Sequence, residues 1–138
     1  MATDTGKSAL GLDGNLAAAL GYPIGIIAII CLIIEKENRF VRFHALQSIL
    51  LHVAFIILMI AVWILTIVLV IAGVAASAAS SSAGGALGGI VSLLFSLIWL
   101  VVVIAYIAGL IFAAVKSYQG NMFKLPIIGN MAEKWTSG

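Results

Sequence analysis

The sequence has few charged residues and few of the residues that bind nucleic acids. Only 9% of its 138 residues are charged, and the net charge is +2. Soluble domains carry about 25% charged residues, so this chain has too few for an ordinary water-exposed surface. Nucleic-acid binding needs a basic stripe, which seven scattered lysines and arginines do not provide. We therefore predict no nucleic-acid partner.

Residues used in catalysis and metal binding are also scarce. The single cysteine, Cys31, lies in an apolar run and cannot form an internal disulfide. His44 and His52 are separated by about 12 Å along a helix, too far to share one metal ion. No GxSxG, no HExxH and no phosphate-binding glycine loop before a lysine is present. We predict a protein that is not an enzyme and binds no metal or cofactor.

Hydrophobic residues make up 64% of the chain and concentrate in three charge-free runs, Leu16–Ile34, Ala45–Ala76 and Ile90–Val115. Each run approaches or exceeds the roughly 20 residues with which a helix crosses about 30 Å of hydrocarbon. In lipid an open chain satisfies its backbone hydrogen bonds only as a helix. The second run is longer than one crossing, but no Gly, Pro or charge before its last turns allows a hairpin. We predict one long helix there, and a bend at Pro23 in the first helix.

The predicted fold class is therefore all-α, an integral membrane helical bundle of three transmembrane helices with an interfacial C-terminal segment. We predict that all 138 residues form a single membrane domain. Residues 77–89, which are mostly Ser, Ala and Gly, are predicted to form a flexible linker. The predicted boundaries are 1–14 for a polar N-terminal tail, about 15–34, 45–72 and 90–115 for the spans, and 116–138 for a cytoplasmic interfacial tail.

Lysine and arginine set the predicted orientation. Six of the seven lie in the first loop and the C-terminal tail, and one lies in the N-terminal tail. Three spans place that loop and the C-terminal tail on the same face, which the positive-inside rule makes cytoplasmic. We predict that the N-terminus is outside, that the C-terminus is cytoplasmic and that the lipid bilayer is a partner.

Polar residues cluster where the second span begins, with four of them within an arc of about 140° on one helix face. Polar residues in a span usually face the bundle interior. The stripe therefore either bonds to neighbouring spans or contacts a partner or a water-filled cleft. The candidates for partner or lipid interaction are Arg39, Arg42, His44, Gln47, Ser48, His52, Leu125, Pro126 and Gly129.

Small residues recur at every fourth position in several places, a spacing that lets membrane helices approach closely. We favour packing among the chain's own helices, with self-association left open. The candidate helix-packing residues are Gly21, Gly25, Gly84, Gly88, Ala105, Gly109 and Ala113.

Two segments, FVRFHALQS (residues 40–48) and QGNMFKLPIIGN (residues 119–130), carry a family resemblance. Together they resemble prokaryotic small membrane proteins related to the twenty-kilodalton subunit of the chloroplast inner-envelope protein-import translocon. The resemblance covers roughly residues 15–55 and 113–133. It implies a helical subunit of a preprotein-conducting complex, although the chloroplast members are described with four spans. For a prokaryotic member, the membrane would be the plasma membrane.

Two functions follow as hypotheses. The first is a non-enzymatic subunit of a membrane protein complex that associates with other subunits or with itself. Its interaction surface would include Arg39, Arg42, His44, Gln47 and the turn at residues 125–130. The second is a small self-associating channel or transporter, and a membrane enzyme ranks third.

Overall fold

A computed structural model describes residues 5–79 and 83–137, and the regular secondary structure in these residues is helical. This confirms the predicted all-α class for the described residues. The helices are α1 (Gly14–Gly21), α2 (Gly25–Ile34), α3 (Arg39–Ala79), α4 (Ala83–Tyr118) and α5 (Ile128–Thr136).

Two helices of the described part, not three, are long and apolar enough to cross a membrane. They correspond to Arg39–Ala76 in α3 and Gly88–Tyr118 in α4, which contain the predicted spans 45–72 and 90–115. Helix α3 runs without interruption through the long second run, as predicted. Much of the predicted linker is helical, because α3 continues to Ala79 and α4 begins at Ala83; residues 80–82 lie outside the described part.

The first predicted span is wrong as a membrane-crossing helix, because it is divided into two short helices. Helix α1 has 8 residues and α2 has 10, so they are about 12 and 15 Å long against about 30 Å of hydrocarbon. Pro23 lacks a backbone N–H and its ring collides with the carbonyl four residues earlier. Ile24 then has φ −119° and ψ 84°, outside the helical region, before α2 begins. The prediction counted apolar length and treated the proline as a bend, whereas the helix stops there.

The chain forms two compact units, one of Met1–Ala54 with Ile107–Gly138 and one of Phe55–Tyr106. The second unit consists of the later part of α3 and the first part of α4. Its large apolar side chains, such as Ile57 and Trp63, are exposed. Phe55 and Tyr106 stack within it, with ring centroids 3.8 Å apart.

In the first unit, α1 and α2 form a helical hairpin that packs against the first turns of α3. At the tip of this hairpin, the Ser48 hydroxyl donates to the Gly21 carbonyl at 2.7 Å. A Cβ placed on Gly25 would be 3.6 Å from Nε2 of His52. The core between the hairpin and α3 is made mostly of small side chains: Ala17, Ala28, Cys31, Val41 and Ala45.

The open end of the hairpin lies beside the start of α3. The buried Glu35 carboxylate, just after α2, accepts the backbone N–H groups of Ala9 at 2.6 Å and Asn38 at 3.2 Å. A Cβ on Gly14, the first residue of α1, would be 3.0 Å from Nδ2 of Asn38. The start of α1 and the end of α2 therefore lie at the same level, beside the start of α3.

The C-terminal segment returns to the same unit after α4. Gly120 has φ 77°, a conformation that favours glycine, and it ends the helix in a turn. Helix α5 then packs through Ala132 against Phe43 and Leu46 of α3. The Asn15 side-chain amide donates to the Tyr118 carbonyl at 2.8 Å, which connects the start of α1 to the end of α4.

Candidate functional site

Four fully buried polar residues lie between the hairpin tip, α3 and the C-terminal segment. We call them the polar cluster: Tyr22, His44, Gln47 and Ser48. A buried polar group is costly unless it is hydrogen-bonded. The partners of these side chains therefore decide what the cluster does.

His44 connects the hairpin to the C-terminal segment. Its Nε2 is 3.0 Å from the Asn121 carbonyl oxygen, and its Nδ1 is 2.9 Å from the Tyr22 hydroxyl. A carbonyl oxygen only accepts, so Nε2 carries the proton and donates. In the neutral ring Nδ1 is then an acceptor, and the Tyr22 hydroxyl donates to it. Every hydrogen-bonding atom of the imidazole is satisfied within the chain.

Gln47 makes more hydrogen bonds than the other side chains of the cluster. Its Nε2 donates to the Tyr22 hydroxyl at 2.7 Å and to the Phe123 carbonyl at 3.1 Å, and its Oε1 accepts the Leu125 N–H at 3.0 Å. The side chain therefore pairs with the backbone of the C-terminal segment as a neighbouring strand would. Hydrogen bonds run in one direction, from Gln47 through Tyr22 to His44 and then to the Asn121 carbonyl.

Gly129 lets α5 approach this cluster closely. A Cβ at this position would lie 2.6 Å from Cα of Lys124 and 2.7 Å from Oε1 of Gln47, closer than real Cβ contacts. Just before it, Ile127 has φ 66° and ψ −60°, and Ile128 N–H donates to the Pro126 carbonyl at 2.7 Å. This is a γ-turn of the strained kind, which is rare for a β-branched residue.

The candidate interaction residues divide into two groups in the structure. His44, Gln47, Ser48 and Gly129 are buried, and the three side chains among them bind within the chain. The remaining candidates are exposed or half-buried: Arg39, Arg42, His52, Leu125 and Pro126. Within the described residues, Nε of Arg42 is buried and has no hydrogen-bond partner. Nδ1 of His52 is 2.7 Å from the Ser48 carbonyl of the previous turn, to which it donates.

Tyr22 is the member of the cluster that the sequence analysis missed. It lies inside the first apolar run, where its hydroxyl had no obvious partner in sequence. A tyrosine directly before Pro23, between two glycines, was the available signal, because a phenol at membrane depth needs a hydrogen-bond partner. The backbone carbonyls of Asn121 and Phe123 left no signal, since any residue supplies one.

The helix-packing candidates also divide. Gly21 and Gly25 face the chain's own α2 and α3, and Ala113 is buried. Ala105 is exposed, and a Cβ at Gly88 or Gly109 would meet no described atom within 4 Å. Gly84 lies in α4, and its surroundings are outside the described part.

Comparison with known proteins shows the family. The model of the magnetosome magnetite crystal formation protein family, MamF/MmsF, matches residues 9–132. The UPF0132 membrane protein MJ1443 of Methanocaldococcus jannaschii is 38% identical over 132 residues, which cover 95% of this chain and 96% of that protein. A UPF0132 membrane protein of Archaeoglobus fulgidus is 33% identical over 125 residues, 90% of this chain and 96% of its own length.

None of these relatives is a chloroplast translocon subunit, and no solved structure gives a significant match. The archaeal relatives are named as membrane proteins, in agreement with two long apolar helices in the described part. The protein is therefore a membrane protein, and it belongs to the magnetosome magnetite crystal formation protein family.

Proposed function

We propose that this protein is a non-enzymatic subunit of a membrane protein complex, and that α4 packs against a helix of another subunit. One observation carries the proposal: a Cβ at Gly88 or Gly109 would meet no described atom within 4 Å. Glycine inside a helix costs about 1 kcal/mol relative to alanine. Small residues allow close approach of helices in lipid, and such an approach by another subunit would offset that cost.

Two hydroxyls in the spans favour a subunit over a pore, because they bond to their own helices. The Thr66 hydroxyl donates to the Val62 carbonyl at 2.8 Å, and the Ser96 hydroxyl donates to the Leu93 carbonyl at 2.9 Å. These hydroxyls are paired with their own helices. A conducting pore needs polar or charged groups that face the ion. The alternative, a self-associating channel or transporter, would show as solute flux into liposomes that contain only this protein.

The proposed topology has two spans and both ends of the chain on one side. The hydrogen bond between Asn15 and the Tyr118 carbonyl supports it, because bonded residues lie at the same level of the membrane. All seven lysines and arginines then lie on this side, which the positive-inside rule makes cytoplasmic. The proposed position of the N-terminus is therefore cytoplasmic. The sequence-based prediction of an outside N-terminus depended on a third span. The membrane would be the plasma membrane of a prokaryote, in keeping with the archaeal relatives.

Helix α5 is proposed to lie in the cytoplasmic interface of the bilayer. Ile127, Met131 and Trp135 recur at every fourth position and are exposed, while Gly129 and Ala132 face α3. An apolar stripe that includes a tryptophan is typical of interfacial helices.

The family is described by magnetosome magnetite crystal formation, and two segments of the chain resemble a translocon family. If the chain takes part in magnetite crystal formation, we propose that it does so by organising partner proteins in a membrane. Among the described residues, no group of three or more His, Cys, Asp or Glu is placed to hold a metal ion, so we do not propose direct iron binding. A part in protein import would be that of one subunit among several, since two spans do not enclose a polypeptide.

The test is purification of the tagged protein from native membranes in mild detergent, with particle mass and companions measured. We expect a complex with defined companions for the wild type, and their loss in Gly109→Leu, because the larger side chain blocks close approach. Ala108→Leu, at an exposed position about 100° around the helix, is the matched control and keeps the complex. A wild type that purifies alone, or companions retained by Gly109→Leu, contradicts the proposal.

A further inference from the structure

Helix α2 has an unusual distribution of side-chain sizes. Its small residues Ala28 and Cys31 are buried against the rest of the unit. Its outer face consists of four isoleucines at the i, i+3, i+4 and i+7 positions: Ile26, Ile29, Ile30 and Ile33. Ile26 and Ile33 are 69% and 70% exposed. A surface helix in water has polar residues on its outer face, so this face is not built for water.

The position of the hairpin sets the depth of this face. The hairpin tip lies beside Ser48 and His52, and its open end lies beside Asn38. From Arg39 to His52 is about 20 Å along α3. The hairpin therefore follows the first part of a helix that is long and apolar enough to cross the membrane.

We propose that the isoleucine face of α2 contacts lipid acyl chains, and that the α1–α2 hairpin is a re-entrant element in one leaflet. The proposal rests on the two-span topology, in which both ends of the chain lie on the side from which the hairpin enters. Helix α2, about 15 Å long, matches about half of the hydrocarbon thickness.

Lipid is the occupant that the surface fits. Interfaces between membrane helices use small and polar residues, and in α2 the small residues face inward while the outer face is all isoleucine. Helix α3 also exposes apolar side chains just beyond the level of the hairpin tip, among them Val53. Lys36 lies two residues after α2 and Arg39 begins α3, at the level where phospholipid headgroups would lie.

The polar cluster explains how the chain breaks inside lipid. Irregular backbone at membrane depth is tolerated only where protein groups satisfy it. Ser48 donates to the Gly21 carbonyl, Ile24 N–H donates to the Leu20 carbonyl at 3.1 Å, and Pro23 has no N–H to satisfy. The Tyr22 hydroxyl at the break pairs with His44 and Gln47. These contacts satisfy the Gly21 carbonyl, the Ile24 N–H and the Tyr22 hydroxyl at the hairpin tip.

The test uses tryptophan fluorescence in vesicles of phosphatidylcholine brominated at a known depth of the acyl chain. The three natural tryptophans are replaced by phenylalanine, and one new tryptophan is introduced by Ile26→Trp, Ile30→Trp or Ile33→Trp. All three positions are exposed, so the substitutions should not disturb packing. Lys36→Trp, an exposed position just after α2, is the control for the aqueous side.

We expect bromine deep in the bilayer to quench Ile26→Trp most strongly and bromine near the headgroups to quench Ile33→Trp most strongly. Acrylamide in the water should quench Lys36→Trp alone. Acrylamide quenching of the isoleucine positions equal to that of Lys36→Trp would overturn the proposal, since the face would then lie in water. Absence of quenching by both agents would also overturn it, since a second copy would then cover the face. The readout is contact with lipid, so it does not depend on the companions expected for the complex.

Discussion

At the scale of single residues, the polar cluster holds together segments that are far apart in sequence. Tyr22 connects the cluster, because its hydroxyl donates a hydrogen bond to His44 and accepts one from Gln47. The sequence predicted that His44, Gln47 and Ser48 lie on one helix face and bond to neighbours or to a partner. It did not identify the neighbours, because three of them are backbone groups of residues 121, 123 and 125, which carry no side-chain signal.

Tyr22→Phe is the substitution that tests this cluster. It keeps the ring and removes the hydroxyl, so His44 and Gln47 each lose a buried partner. Leaving buried polar groups unpaired costs about 1–3 kcal/mol. We expect a lower thermal unfolding midpoint in detergent, measured by circular dichroism. Tyr118→Phe, at an exposed tyrosine, is the control; equal midpoints for the two variants would show that the cluster does not stabilise the fold.

At the scale of helices, apolar length predicted α3 and α4 and failed for the first run. Helix α3 was predictable because no residue between Ala45 and Ala72 ends a helix. The first run has a similar composition, but Pro23 lies between Gly21 and Gly25. Whether the helix bends or stops there depends on hydrogen-bond partners in α3. Ser48 and Gln47 satisfy the broken backbone and the Tyr22 hydroxyl, which makes two short helices stable where one bent span was predicted.

Gly129 lets helix α5 approach α3 closely, next to the packing of Ala132 on Phe43 and Leu46. In Gly129→Ala, the new Cβ collides with Lys124 Cα, and overpacking of this kind costs about 1–3 kcal/mol. We expect amide hydrogen exchange in residues 121–136 to be roughly ten- to a hundredfold faster, because the segment opens more often. The comparison is with Asn130→Ala, at an exposed position of the same helix. If exchange in the two variants is the same, Gly129 does not control the docking of α5.

At the scale of the whole molecule, the proposed topology has two spans and both ends of the chain on the cytoplasmic side. The positive-inside rule predicted the side of the C-terminus from sequence, but the side of the N-terminus depended on the number of spans. That number changed when the first run was found to be a hairpin. The hydrogen bond from Asn15 to Tyr118 then supports an N-terminal segment beside the C-terminal one.

The most direct measurement of this topology is cysteine labelling with a membrane-impermeant maleimide. The buried Cys31 is replaced by alanine, and Lys7→Cys and Lys134→Cys are made separately at exposed positions near the two ends of the chain. In intact cells with the outer face of the plasma membrane accessible, we predict that neither cysteine reacts until the membrane is opened, and that both then react. Labelling of Lys7→Cys from outside, with Lys134→Cys protected, would restore the third span and contradict the two-span topology.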